Sequence, residues 1–379
     1  MKTTIPVAPI TVLIPDGECV LALKVIQCLS QIKNISLVVL SNDRNIPLRF
    51  SNRIDHFYSY KLNNSYDKDC LKAVGDIILK EKIDIILPIG NVAIRLFAQQ
   101  KYSFSRIINY GLLPAVDVFD VANDKWSFYK WLDKNKFHTP NTVLFDGTKS
   151  FKKSLQKLSF PVLAKPTKLT GGMGITLFND SLSLEKFLAD EYYKNTYIVQ
   201  EYINGFNLGF NVLAKEGQII AYTIQKPIIA SAEEFQPSYG LEFFDDQDIY
   251  NSLKEVVSKL KWTGVANFDL RYNEESGQVM ILEMNTRFWG NVVGSFKAGV
   301  NFPYLSCLVG LGYDIPEIEL KRTTCVTGKS SYIYWLDRFR FKRKFPKFQY
   351  TSLSLDIYDP APNCYTLIKK LNILSKTYK

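Results

Sequence analysis

The chain has 379 residues, 46% hydrophobic and 22% charged, which suits a globular protein of two or three ordinary domains and excludes a disordered chain. No apolar run approaches the ~18 residues of a membrane span, and Pro15-Asp16-Gly17 ends the first apolar stretch with no cleavage pattern after it, so a first strand is expected there, not a signal peptide. The net charge of +10 equals that of residues 320–379, which hold 13 Lys/Arg against 3 Asp/Glu, so the body before them is balanced and the excess says little about its chemistry.

In chain order, residues 10–14 (ITVLI) read as a buried strand, 15–18 as a turn, 20–32 as a helix by apolar spacing and 37–40 as a second buried strand. A helix over 71–80 and a strand over 83–87, ended by Pro88, complete a βαβ rhythm. That rhythm predicts a small parallel α/β domain to about residue 115. Its first turn has Gly17 alone, so a dinucleotide fold is not expected. The Asp16 and Asn91 turns still lie at carboxyl ends of strands, where ligands of such sheets collect. Beyond it, residues 123–135 read as a helix entered through Asp124. Short strands are expected over 142–145, 162–165, 174–178 and 197–200, with a helix over 182–193. A hairpin of 210–214 and 219–224 follows, then a helix over 249–260 and two strands, 266–272 and 279–284, joined by residues 273–277. The six cysteines are scattered, form no CxxC pair and have only His56 and His138 as companions. Reduced thiols in a cytoplasmic protein are expected, and a zinc site is not.

Three stretches carry chemistry. Asp269 sits in one strand of the last pair, and Glu283 and Asn285, two apart in the other, share a face. Three oxygen-bearing side chains converging there suit Mg²⁺, and Arg287, two residues further, suits a phosphoryl group. Phe160-Pro161-Val162-Leu163-Ala164-Lys165 puts a lysine at the end of an apolar strand, where it needs a polar partner. The glycines of Thr170-Gly171-Gly172-Met173-Gly174 let backbone N–H groups approach phosphate oxygens. Gln200-Glu201-Tyr202-Ile203 is a strand end able to offer main-chain groups to an adenine edge. Each has a plainer reading: a surface hairpin with solvated acids, a Gly-rich turn, an ordinary strand end.

Their order is more specific. Asp124-Lys125, Lys165-Pro166, Gly171-Gly172-Met173-Gly174, Gln200-Glu201-Tyr202-Ile203, Asp269 and Leu282-Glu283-Met284-Asn285-Thr286-Arg287 follow the order and rough spacing of the ATP-grasp superfamily. The last segment resembles the biotin carboxylase and carbamoyl-phosphate synthetase branch, and Phe288-Trp289-Gly290 resembles stand-alone carboxylate–amine ligases of that branch. The resemblance covers residues 5–310. It implies an α/β (α+β ATP-grasp) fold. A parallel α/β pre-ATP-grasp domain would occupy residues 1–115, and a two-lobed ATP-grasp domain 116–318, with a lid subdomain over about 140–203. A basic C-terminal segment, 319–379, would pack on the body.

The resemblance further implies ATP with Mg²⁺, or Mn²⁺ in its place. Lys125 and Lys165 would contact phosphates, and the loop containing Gly171, Gly172 and Gly174 would close over them. Gln200, Glu201 and Ile203 would line the adenine pocket, the last two through main chain. Asn207 would stand at the ribose, where relatives commonly have an acid. Asp269, Glu283 and Asn285 would hold the metal, Asp269 where close relatives often have Glu. Arg287 would steady the acyl-phosphate, and Lys226 falls near a substrate-side or phosphate-side cation. The chain is expected to be too short for a full carbamoyl-phosphate synthetase, and no biotin-carrier segment is apparent.

The chemistry implied is phosphorylation of a carboxylate to an acyl-phosphate and transfer of the acyl group to an amine, with ADP and phosphate released. No covalent nucleophile is needed, which fits the lack of a Ser/His or Cys/His arrangement. An ATP-grasp enzyme with a thiol acceptor or phosphoryl transfer shares every nucleotide residue and stays open, as does a non-catalytic nucleotide-binding protein. The expected partners are a small-molecule carboxylate and an amine, amino acids among them, recognised by loops such as 231–244. A homodimer is the assembly relatives suggest. In residues 332–350 aromatic and basic residues interleave, which reads first as an amphipathic strand on the body. The sharper alternative is contact with a membrane face or anionic polymer; nucleic acid is not expected, because no reader motif appears.

Overall fold

The computed structural model describes residues 8–63, 66–104, 108–145, 149–169, 171–191, 196–229, 235, 238, 240–327, 331 and 348–377. The basic-aromatic run over 332–347 and most of the loop over 231–239 lie outside the described residues.

The first part alternates strand and helix: β1 (Ile10–Ile14), α1 (Ala22–Leu29), β2 (Ile35–Ser41), β3 (His56–Ser59), α2 (Tyr66–Glu81), β4 (Ile85–Ile86), α3 (Asn91–Phe104) and β5 (Asn109–Tyr110). The strands form a parallel sheet in the order β3-β2-β1-β4-β5. Its apolar runs are continuous because both faces are covered. Leu13, Val38 and Leu40 enter one core, while Val12, Ile14, Leu37 and Val39 enter the other. The order reverses between β1 and β4, so the crevice past their carboxyl ends is the ligand position of such a sheet. The short strands β3 and β5 and the helix α3 had no sequence counterpart.

Next come α4 (Val116–Asn123) and α5 (Lys125–Lys134). The helix expected over 123–135 and entered through Asp124 is α5; α4, which ends just before it, had no sequence counterpart, and Asp124 between the two is extended, with φ −104° and ψ 121°. Its side chain accepts from the Ser127 N–H at 2.8 Å, so Asp124 caps α5 instead of continuing α4.

A smaller unit follows: β6 (Thr142–Phe145), α6 (Lys149–Leu155), β7 (Val162–Pro166), β8 (Thr176–Phe178), α7 (Ser181–Glu191) and β9 (Tyr197–Glu201). Its antiparallel sheet runs β6-β9-β7-β8. Val162, Ala164, Leu184, Leu188 and Val199 form a core of its own.

The largest sheet is antiparallel, in the order β14-β13-β10-β11-β12-β15. Its strands are β10 (Gly205–Lys215), β11 (Gln218–Ile229), β12 (Gly240–Phe244), β13 (Gly264–Asn273), β14 (Val279–Asn285) and β15 (Thr323–Val326). The helices α8 (Gln247–Lys259), α9 (Val292–Lys297) and α10 (Phe302–Gly310) lie between them in sequence. Phe210, Ile224 and Phe268 on one face join the core under α5 and α8. The sixth strand, β15, comes from the segment that the sequence divides off as 319–379. The chain closes with α11 (Leu353–Asp356) and α12 (Ala361–Thr377), the latter against the short turn of helix at Pro47–Phe50. No helix among the described residues is long and apolar enough to cross a membrane.

Candidate active site

The polar face of the large sheet is built by alternation. Asn267 and Asp269 in β13 stand opposite Asn285 and Glu283 in β14. Strict alternation through β14 would not achieve this. Ile281 and Met284 are both buried in the core although they are three residues apart. The register skips one residue, with Asp269 opposite Glu283 and Leu270 opposite Ile281. This bulge re-aims Glu283 and Asn285 to the side of Asp269.

The three groups then touch. Asn285 Nδ2 donates to Asp269 Oδ2 at 3.0 Å and to Asn267 Oδ1 at 3.1 Å, and Asp269 and Glu283 share a hydrogen bond. Burial and the adjacent Glu283 push the Asp269 carboxyl well above the usual range. Burial would raise Glu283 too, but Lys125, the bond from Asp269 and Lys165 hold it below. Two carboxyl groups that resist both being charged, beside an amide oxygen, are a donor set that a divalent cation relieves. Among the described residues no cluster of three or more His, Cys, Asp or Glu occurs, so a third protein oxygen for such an ion comes from an amide.

Lys125 is the first residue of α5. Phe128, one turn on, is 1% exposed and packs on Phe268 with ring centroids 6.4 Å apart, which seats the helix on the sheet. Lys125 Nζ thereby reaches Glu283 Oε2 at 3.0 Å and donates to the Leu169 carbonyl at 2.6 Å. Arg287 lies just past the end of β14 and donates to Asn285 Oδ1 at 3.3 Å and to the Phe288 carbonyl at 2.8 Å. Lys165, at the end of β7, donates to Gln200 Oε1 at 2.6 Å, and Gln200 Nε2 donates to Thr142 Oγ1 at 3.0 Å. Burial pushes Lys165 down to about 8, while Glu283 acts the other way.

A cavity of about 340 Å³ opens here, lined by Lys125, Thr167, Lys168, Glu283, Asn285 and Arg287 and, across from them, Asn91 and Val92. Asn91 starts α3 at the parallel sheet's reversal point, so both large sheets contribute walls. Asn91 Nδ2 donates to Asn123 Oδ1, which also accepts from Thr286 Oγ1 at 2.9 Å. Nearby, Asp16 ties the loops after β1 and β4 by accepting from the Gly90 N–H at 2.7 Å and the Ile89 N–H at 3.1 Å. Burial pushes its carboxyl up to about 8.

The other sequence candidates take separate places. The Gly171–Gly174 turn has φ of +68°, +79° and +72° at Gly171, Gly172 and Gly174. A Cβ on Gly172 would lie 2.1 Å from the Phe235 carbonyl oxygen, so only glycine permits that approach. The Glu201 side chain accepts from the Ser159 N–H at 2.7 Å, and its own N–H donates to the Asn141 carbonyl at 3.0 Å. Arg271 donates to the Ile203 carbonyl and to Asn207 Oδ1, both at 2.8 Å. Lys226 is not among the cavity's lining residues. It pairs with Glu242 at 3.1 Å, on the sheet face opposite to that of its neighbour Gln225.

Sequence reasoning missed the layer beneath the carboxylates. Asn267 Nδ2 donates to Asn211 Oδ1 at 2.9 Å, and Asn211 Nδ2 donates to Thr223 Oγ1 at 3.0 Å. Thr223 Oγ1 and Ser295 Oγ are 3.0 Å apart. The signal was present: Asn207 and Asn211, Thr223 and Gln225, and Asn267 and Asp269 are polar residues an even number of places apart in otherwise apolar strands.

The model of the ATP-grasp domain family matches residues 122–291. D-aspartate ligase of Enterococcus faecium (strain Aus0004) is 22% identical over 230 residues, covering 55% of this chain and 54% of that protein. The chain spans between 11% and 61% of the length of the curated relatives it matches. N5-carboxyaminoimidazole synthetase from Staphylococcus aureus, solved with ADP, matches with a TM-score of 0.66 at 15% identity, over 90% of this chain and 88% of that one. The biotin carboxylase domain dimer of Hydrogenobacter thermophilus 2-oxoglutarate carboxylase, solved with MgADP, ADP and bicarbonate, matches with a TM-score of 0.65 at 16% identity, over 83% of this chain and 73% of that one. The structures share the fold, and residues 122–291 of this chain are an ATP-grasp domain.

Proposed function

We propose that the chain is an ATP-dependent ligase that activates a carboxylate as its acyl-phosphate and transfers the acyl group to an amine. The observation that carries this reading is the convergence of Lys125, Glu283, Asn285 and Arg287 on one cavity walled by both sheets, with Asp269 bonded to Asn285 behind them. The ligases among the relatives support the amine acceptor.

In this reading Asp269, Glu283 and Asn285 hold Mg²⁺, which offsets negative charge on the phosphate oxygens when bound. Lys125 and Lys165 bind phosphates from opposite sides, one on the large sheet's helix and one on the small sheet. The Gly171–Gly174 turn covers them and keeps water from the labile acyl-phosphate. The substrate carboxylate oxygen attacks the γ-phosphorus as the bond to ADP breaks. The amine nitrogen then attacks the acyl carbon, phosphate leaves, and the nitrogen loses a proton. Arg287 faces the developing negative charge, and Asn91, at the reversal point of the parallel sheet, stands on the acceptor side.

ADP release measured over paired acids and amines tests this. Turnover that needs both partners, with a new C–N bond in the product, is the expected result. Nucleotide binding without turnover, or turnover with a thiol and no amine, overturns it.

A further inference from the structure

Between the end of β14 and the start of α9, residues 286–291 run past the sheet ladder, and Arg287 lies on this turn. The carbonyls of its second half are bonded one by one. That of Phe288 accepts from Arg287 Nη1 at 2.8 Å, that of Trp289 from the Val292 N–H at 3.2 Å and that of Asn291 from the Gly294 N–H at 2.8 Å. The Gly290 carbonyl accepts from Lys24 Nζ, 266 residues away in α1. Packing and side chains fix the flanks. Phe288 and Trp289 are buried, Trp289 meets Phe302 edge-on with ring centroids 4.9 Å apart, and Thr327 Oγ1 donates to Asn291 Oδ1 at 2.8 Å. Gly290 has no such support. A Cβ there would meet no atom within 4 Å, so sterics leave its peptide able to rotate, and the Lys24 bond is what holds it.

An ammonium is a costly group for that task. Lys24 is half-buried and is the one charged residue of α1, beside buried Ala22, Val25 and Ile26. Burial pushes it below the ordinary lysine range. Among the described residues no carboxylate forms an ion pair with it. Asp356, the acid it feels most, accepts from Gln27 Nε2 at 2.8 Å. Its other titratable neighbours, Cys28 and Cys325, are thiols that burial holds protonated. A charge kept there without a counter-charge opposes folding, so stability does not account for it. Position does: the bond reaches from the first helix of the parallel sheet to the turn whose Phe288 carbonyl takes the Arg287 guanidinium.

We propose that Lys24 is a positioning residue: by fixing the Gly290 carbonyl it sets the turn that aims Arg287 into the cavity. The parallel sheet's first helix thereby becomes part of the machinery at the acyl end. The proposal rests on the reading of Arg287 as the group that faces the acyl-phosphate.

The test compares, in the full chain, Lys24→Met, which keeps the stem and removes the donors, with Lys24→Arg, which keeps donors and charge. Arg287 is followed directly by the ¹⁵N resonance of its Nε–H group, assigned by its loss in Arg287→Lys. Expected in Lys24→Met are a displaced or broadened Arg287 resonance and a melting temperature unchanged or higher. With ATP, acid and amine, kcat should fall by ~10–100-fold and KM for ATP stay within ~3-fold. Lys24→Arg should restore the resonance and most of the rate. Gly290→Ala added to Lys24→Met should recover part of the rate, because the new Cβ narrows the backbone freedom of the turn without a clash. An unmoved Arg287 resonance in Lys24→Met overturns the inference, whatever the turnover. A displaced resonance at unchanged melting temperature, in a protein whose wild type forms no C–N bond, upholds it and overturns the ligase reading instead. A fall in rate that comes with a lower melting temperature and is not recovered by Gly290→Ala assigns Lys24 to the frame of the fold and also overturns the inference.

Discussion

The large six-stranded sheet and the small four-stranded sheet border the same cavity, yet they hold their charged groups differently. On the large sheet, Asp269, Glu283, Asn285 and Asn267 are bonded to one another across two neighbouring strands, with Lys125 and Arg287 added at the rim. On the small sheet, Lys165 is satisfied within its own unit by Gln200 and Thr142, and that unit has a separate core. The two units meet through polar contacts, among them Lys125 to Leu169 and Arg271 to Ile203 and Tyr202. Separate cores joined by polar contacts let one unit move against the other at little packing cost. The large sheet is therefore where charge is built, and the small one where position is set.

Substitutions break or sharpen this contrast. Glu283→Gln keeps shape but removes the charge that Lys125 pairs with and that a cation needs. We expect kcat to fall by ~10³-fold or more, with nucleotide binding retained in part. Turnover near the wild-type rate would remove Glu283 from the chemistry and with it the contrast. Gly172→Ala tests the other side. The new Cβ would meet the Phe235 oxygen at 2.1 Å and the residue has φ +79°, so the turn must shift. The expected effect is a fall in kcat/KM of ~10–100-fold, with ADP release less dependent on amine as acyl-phosphate leaks to water. The melting temperature should change little, since the turn is at the surface. Coupled turnover as tight as in the wild type would show that the turn does not close the site.

Lys165→Met separates position from charge more finely. Lys165 titrates near 8 because burial disfavours its charged form. Nucleotide binding should therefore weaken as pH rises through about 8 in the wild type, as the ammonium loses its proton. The methionine variant should show KM for ATP raised ~10-fold at neutral pH and flat across that range. Its stability should be no lower, because a folded-state pKa below the ordinary lysine value means that the buried charge opposes folding in full below about 8, and this opposition fades only as pH rises from there toward the ordinary lysine value. A variant that keeps the wild-type pH profile would assign the titration to another group.

Most of the individual elements were legible, because apolar runs and their periods are local properties. The strands at residues 142–145 and 162–166 and both strands of the last pair fall where periodicity puts them. What was not legible depended on partners. The skip at Leu282 exists only against β13, so no pattern within β14 announces it. Asp124 was legible as the entry to a helix, which its capping bond fits, whereas α4, ending just before it, was not read. The two faces of β11 also depend on partners: Gln225 faces the Asn211 network, while its neighbour Lys226 turns to Glu242.

The smallest expected effect lies farthest from the cavity, in the chain of amides under the large sheet. Asn285 donates to Asn267, Asn267 to Asn211, and Asn211 to Thr223 and Ser295, so the direction of each amide is fixed by the next. Because Asn285 enters the row through Nδ2, its Oδ1 is left on the side of Arg287, where it can face a cation with no amide turning. The row ends on two hydroxyls, which accept from the Asn211 amide and so hold this direction. Ser295→Ala with Thr223→Val removes that end and leaves the Asn211 amide short of partners. We expect a stability loss of about 1–3 kcal/mol and a cation affinity a few-fold weaker, read by Mn²⁺ titration in the absence of nucleotide. Ser295→Thr, which keeps a hydroxyl, should restore the affinity when Thr223 is intact. Loss of stability with Mn²⁺ affinity unchanged would leave the row a structural feature of the sheet and confine the charge-building to the four residues that touch the cavity end.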